Sequence, residues 1–191
     1  DFLDLCIIGE GEEVNTELME LLRLAKREGW EKTHFLSEAA KISGIYVPSL
    51  YTPVYAPDGA LTGLRCEPGA PEAVERRVVT NFDQSSFPTA PVVPTTEIVH
   101  DRVTLELFRG CIRGCRFCQA GAIYRPVRSK KPETLVQQGI ESLKNTGYEE
   151  ITLSSLSTSD YHALTELCDG LLDGLAPAEL LFVGDSRNDI Q

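Results

Sequence analysis

Val103-Thr104-Leu105-Glu106-Leu107-Phe108-Arg109-Gly110-Cys111-Ile112-Arg113-Gly114-Cys115-Arg116-Phe117-Cys118 carries an apolar alternation straight into three of the chain's six cysteines. The alternation predicts a strand over 103–108. The cysteines that follow are spaced Cys-x3-Cys-x2-Cys on what reads as a loop leaving that strand. Three soft thiolates so placed can hold an iron–sulfur cluster by three of its four irons, which leaves the fourth iron open to another ligand. Cys111, Cys115 and Cys118 are therefore the expected metal ligands.

The same residues admit three other readings. Positions 111, 115 and 118 fall at i, i+4 and i+7, the spacing of one buried helix face. Gly110, Gly114 and Gly121 argue against a helix there. A structural zinc site wants four ligands, and the nearest candidates for a fourth are His100 and Cys168, neither at a familiar spacing. A ferredoxin-like carrier would supply a fourth cysteine, and none follows in the loop.

Downstream, strand and helix signals alternate. A helix is predicted over 132–145 (Leu135, Val136, Ile140 and Leu143 on one face, Gly147 as its stop). A strand follows over 150–155, a helix over 160–175 (Leu164, Leu167, Cys168, Leu171 and Leu175), and a strand over 180–183. This alternation implies parallel strands, with the active site at their carboxyl ends, where the cysteine loop falls. Three strands cannot close a barrel. Upstream, Leu3 to Ile8 reads as a strand, and Gly9-Glu10-Gly11-Glu12-Glu13 as a turn with acids at a helix start. That helix would be capped at Asn15 or Thr16 and stopped by Gly29, with a second helix over 31–42. Residues 45–100 are rich in Pro and Gly and read as a linker with one hairpin, Tyr51 to Tyr55 and Leu61 to Arg65 about Pro57-Asp58-Gly59, and a further extended piece at Arg76 to Thr80. The expected organisation is thus 1–44, 45–100 and 101–191.

The bulk properties restrict the function classes. The chain has 191 residues, 42% hydrophobic and 25% charged, as in ordinary soluble domains. No apolar run approaches the roughly 20 residues of a membrane helix, so no membrane association is expected. Clustered cysteines without a dense disulfide framework suit metal ligation in a reducing, cytoplasmic compartment. The net charge of −11 argues against wholesale nucleic-acid binding, yet residues 109–131 carry seven basic residues and no acid. Those residues (Arg109, Arg113, Arg116, Arg125, Arg128, Lys130 and Lys131) could offset the charge of a cluster, grip an anionic substrate such as RNA, or form a solvated face.

Cys-x3-Cys-x2-Cys after a first parallel strand, with Phe117 just before the last cysteine, resembles the radical S-adenosylmethionine (radical SAM) superfamily. Further segments are similar to a bacterial family of B12-binding-domain radical SAM proteins whose reaction is unassigned. They are Asp4–Glu13, Gly44–Tyr51, Phe87–Pro94, Glu97–Asp101, Cys118–Arg128 and Tyr148–Tyr161. The resemblance implies an α/β fold: the C-terminal end of a Rossmann-like cobalamin-binding domain followed by a partial radical SAM β/α barrel. It also implies a 4Fe-4S cluster on the three cysteines, with S-adenosylmethionine chelating the fourth iron. Reductive cleavage of that cofactor yields methionine and a 5′-deoxyadenosyl radical, with Phe117 against the adenine and an electron donor such as flavodoxin or ferredoxin. Two features depart from the pattern. The cobalamin motif Asp-x-His-x-x-Gly is missing, since Asp160-Tyr161-His162 lacks the Gly, so His162 is read as surface or packing. The tail 184–191 also diverges.

The usual Gly-Gly-Glu-like turn after the second strand is replaced by Ser154-Ser155-Leu156-Ser157-Thr158. Ser154, Ser155 and Ser157 could bind the amino and carboxylate groups of the cofactor's methionine. The same run could equally cap the next helix, with Asp160 as N-cap. Cys6 and Cys168 are read as core residues, and Cys66 is given no role. The competing function is a non-catalytic module with zinc on the cysteines and RNA on the basic loop. Because both domains look truncated, residues 1–191 alone are expected to be inactive.

Overall fold

In the computed structural model, which describes residues 2–96, 98–99, 101–174 and 179–180, the apolar start of the chain forms only a two-residue strand, β1 (Cys6–Ile7). Gly9 then turns the chain at φ 115°, where a Cβ would stand 2.2 Å from the carbonyl oxygen of Arg77, so only glycine fits. This close approach starts helix α1 (Gly11–Glu28) earlier than a cap at Asn15 or Thr16 would. Glu12 and Glu13 lie in its first turn, where the helix dipole favours acids. Glu10 occupies the N-cap position but turns its carboxylate to the N–H of Val79, 2.6 Å away. The Arg77 guanidinium reaches Glu13 at 2.8 Å and Glu17 at 2.5 Å. The acidic turn thus holds the returning segment 76–79.

The remaining elements of this first unit (Asp1–Val79) follow from the same patterning. Gly29 stops α1 in the left-handed conformation, φ 69°. Helix α2 (Lys32–Ala39) is shorter than the expected 31–42 and leads to β2 (Ile45–Tyr46), which pairs antiparallel with β1. Val14, Leu18, Leu36, Ala39, Ile45 and Val47 form the core between them. The expected hairpin is β3 (Tyr51–Tyr55) against β4 (Leu61–Cys66), with Asp58 accepting from the N–H of Ala60 in its turn.

The second unit (Thr80–Gln191) contains the cysteines of interest. The strand expected over 103–108 divides at Leu107 into β5 (Val103–Glu106) and β6 (Phe108–Arg109). A short helix α3 (Ala120–Ile123) and strand β7 (Arg128–Ser129) precede α4 (Pro132–Thr146), β8 (Glu150–Ser154), α5 (Leu164–Gly174) and β9 (Glu179–Leu180). Strands β5, β8 and β9 lie in that order, all parallel. Buried Leu105, Ile151 and Leu153 of the sheet meet Leu135 and Leu143 of α4 and Leu167 and Leu171 of α5. Helix α4 comes close enough to the sheet that a Cβ on Gly139 would crowd Leu105, Ile151 and Leu171. Residues 181–183 of the expected third strand, the tail and His100 lie outside the described residues. The architecture is mixed α/β, and the described residues form neither a barrel nor a Rossmann-like domain.

Candidate metal centre at the cysteine loop

Parallel pairing sets the position of the loop. Glu106 is in register with Ser154, and the N–H of Leu107 continues the ladder to the Ser154 carbonyl at 3.0 Å. The cysteine loop and the Ser154–Thr158 turn therefore leave the same, carboxyl edge of the sheet. The loop closes on itself at a neck: β6 pairs antiparallel with β7, Phe108 opposite Ser129 and Arg109 opposite Arg128. Immediately beyond, the N–H of Lys130 donates to the Leu107 carbonyl at 2.9 Å. Gly110 stands in this neck at φ 88°, where a Cβ would meet backbone atoms of Tyr124, Pro126 and Val127 at 2.7–3.0 Å.

Between Cys111 and Cys115 the chain is irregular, followed by a turn at Arg116-Phe117, so the three cysteines do not share a helix face. Cys111 is buried at the base of the loop, whereas Cys115 and Cys118 are half-buried. The N–H of Cys118 donates to the Cys115 carbonyl at 3.1 Å and tightens the turn that carries Phe117. Phe117 is 89% exposed, an aromatic face with no packing role. None of the six cysteines is disulfide-bonded.

On the facing turn, Ser154 is exposed, Ser155 is half-buried with its hydroxyl 3.0 Å from that of Thr158, and Ser157 is buried. Thr158–Asp160 is a 3-10 turn, and α5 begins only at Leu164. Tyr161 is drawn into the core between them, and its hydroxyl donates to the Lys130 carbonyl at 2.8 Å. Asp160 does not cap a helix from this place, because its carboxylate receives the guanidinium of Arg113. His162 is exposed with its ring 5.1 Å from that of Tyr161, in keeping with a surface residue.

Part of the basic segment is compensated. Arg109 makes two hydrogen bonds to Glu106, at 2.8 and 2.9 Å, with its guanidinium 4.6 Å above the Phe82 ring. Lys130 is 2% exposed; its ammonium donates to Gln138 at 3.1 Å and lies over the rings of Phe82 and Phe87. Asp83 accepts from the N–H of Lys131 at 2.7 Å. Arg113 and Lys131 face carboxylates as well. A cationic surface for RNA is thus smaller than the count of seven suggests. Sequence reasoning missed Phe82, Asp83 and Tyr161, which come from outside the cysteine loop and carry no spacing signal.

Among the described residues, no three His, Cys, Asp or Glu side chains converge on a point that a single metal ion could occupy. A mononuclear zinc site needs that convergence. A four-iron cluster would bond each thiolate to a separate iron, so its three sulfurs would stand around the cluster rather than meet at one ion. Three thiols and no hard-oxygen ligand among them are the chemistry of such a cluster.

Residues 1–48 match a family of known proteins. It is the N-terminal family of radical SAM proteins. The match lies on residues other than the cysteine loop. The chain is also 39% identical over 88 residues to an uncharacterized protein of Methanocaldococcus jannaschii. That alignment covers 44% of the chain and 19% of the archaeal protein, so the chain spans about a fifth of this curated relative. Among the described residues no helix is long and apolar enough to cross a membrane.

Proposed function

We propose that the chain is a segment of a radical SAM enzyme in which Cys111, Cys115 and Cys118 hold a 4Fe-4S cluster. The observation that carries the reading is the Cys-x3-Cys-x2-Cys loop at the carboxyl edge of the parallel β5–β8 pair. The radical SAM match on residues 1–48 supports it from outside the loop. When bound, the reduced cluster supplies the electron that cleaves S-adenosylmethionine to methionine and a 5′-deoxyadenosyl radical.

The chain's own residues have distinct parts. The exposed ring of Phe117 offers a face for the adenine. Ser154 and Ser155, with the backbone of the 154–158 turn, offer hydroxyls and amides to the methionine carboxylate and ammonium. Buried Ser157 contributes its carbonyl to the turn by accepting from the N–H of Asp160 at 2.8 Å. The longer protein would complete the β/α barrel, take electrons from a flavodoxin- or ferredoxin-like donor in the cytoplasm and associate with cobalamin bound by residues outside this chain.

The test is product formation. The full-length protein, reconstituted anaerobically with iron and sulfide and then reduced, is expected to form 5′-deoxyadenosine from S-adenosylmethionine. A Cys118→Ala variant is expected to form none. A cluster-loaded, reduced protein that leaves S-adenosylmethionine intact would overturn the reading.

A further inference from the structure

Arg113 lies between the first two cysteines, and its guanidinium grips Asp160 through two hydrogen bonds, Nε to Oδ2 at 2.7 Å and Nη2 to Oδ1. The partners are 47 residues apart in sequence. The Asp160 side chain is 10% exposed and that of Arg113 is 55% exposed. The carboxylate is therefore the built-in half of the pair, and the arginine reaches down to it from the loop. Asp160 is itself fixed, as the last residue of the Thr158–Asp160 turn, with its N–H on the Ser157 carbonyl and the buried Tyr161 immediately after it. By contrast, a Cβ built on Gly114 would find nothing within 4 Å, so the backbone next to Arg113 is open on that side.

A planar guanidinium held by both carboxylate oxygens restrains direction as well as distance. The pair is also neutral overall, so it anchors the loop without adding a net charge beside the cysteines. A half-exposed ion pair contributes little to global stability. Its consequence is local, at the stretch from Cys111 to Cys115.

We propose that Asp160 is a positioning residue: by seating Arg113 it sets how Cys111 and Cys115 present their sulfurs toward the Ser154–Ser157 turn. This rests on the reading of the loop as the cluster site. Asp160 touches no reacting atom and acts through Arg113.

The test uses the full-length protein and the variants Asp160→Asn, Arg113→Gln and their double. Hydrogen–deuterium exchange of residues 110–119 in the metal-free protein is expected to rise roughly three- to tenfold in each single variant, and no further in the double. Exchange in α4 and α5 should stay at the wild-type level, which shows that the variants fold. If Asp160→Asn disturbs α4 and α5, Arg113→Gln, altered at the exposed end of the pair, decides the matter. In the reconstituted protein, the change that S-adenosylmethionine causes in the electron paramagnetic resonance spectrum of the reduced cluster is expected to be lost or shifted in the single variants. Unchanged exchange at 110–119, or an unchanged spectrum, would overturn the positioning role. A wild-type protein that takes up zinc and no iron would instead sink the radical SAM reading, while the exchange data would still decide whether Asp160 orders the loop.

Discussion

The Tyr161 hydroxyl donates to the backbone carbonyl of Lys130 at 2.8 Å, and this bond ties the turn after β8 to the residue that closes the cysteine loop. The same Lys130 donates its N–H to Leu107 at the end of the first parallel strand. One buried phenol thus connects the loop's neck, the first strand and the entry to α5. The rings of Phe108 and Tyr161 stack at 6.5 Å within the same core.

Tyr161→Phe is expected to cost about 1–2 kcal/mol, since it removes a buried donor from the Lys130 carbonyl while keeping the ring. Chemical denaturation at neutral pH measures it. Burial first, and then the charges of Glu133, Glu166 and Asp83, together push the Tyr161 phenol up to about 12. Because the folded value is raised, this stabilisation is fully present below the unfolded value near 10 and is lost as pH rises toward 12. The stability gap between wild type and Tyr161→Phe should therefore narrow across that interval. A gap that widens would contradict the burial described.

Gly110→Ala should be among the most damaging small changes. Its Cβ would meet the carbonyl oxygens of Tyr124 and Pro126 and the Cα of Val127, all backbone, at a left-handed φ of 88°. The expected cost is about 2–4 kcal/mol, together with weaker retention of iron as the neck opens. Gly114→Ala, which meets open space in the same loop, should change stability by no more than about 1 kcal/mol. Thermal denaturation of the two variants side by side checks the contrast.

In the first unit, Glu10→Ala removes the acceptor of the buried Val79 N–H. The expected loss is about 1.5–3 kcal/mol, with faster amide exchange at Val79. Glu10→Gln keeps an acceptor oxygen and should lose less than half as much. Equal losses in the two variants would mean that charge, and not the hydrogen bond, holds the segment.

Much of this was legible because it rests on local signals. Apolar residues at strand and helix spacing anticipated β5, α4, β8 and α5, and Gly29 and Gly147 stop their helices in the left-handed conformation. The hairpin about Pro57-Asp58-Gly59 was readable from turn chemistry alone. The neck of the cysteine loop was not, because Arg128-Ser129 is a polar pair too short to show an alternation. Lys130 defied the usual rule for lysines, since its burial depends on Phe82, Phe87 and Gln138 from other segments. A helix cap is the local reading open to Asp160, because its partner Arg113 lies 47 residues away and nothing in the spacing links the two. Local chemistry picks out the cysteines, and tertiary contacts decide how their loop is held.

The most direct measurement is the metal content of the full-length protein after anaerobic reconstitution, compared with Cys111→Ala, Cys115→Ala and Cys118→Ala. The account predicts about four irons and four sulfides per chain in the wild type, a broad absorbance in the visible blue, and loss of both in each variant. About one zinc per chain, with no iron or sulfide and no dependence on S-adenosylmethionine, would contradict it.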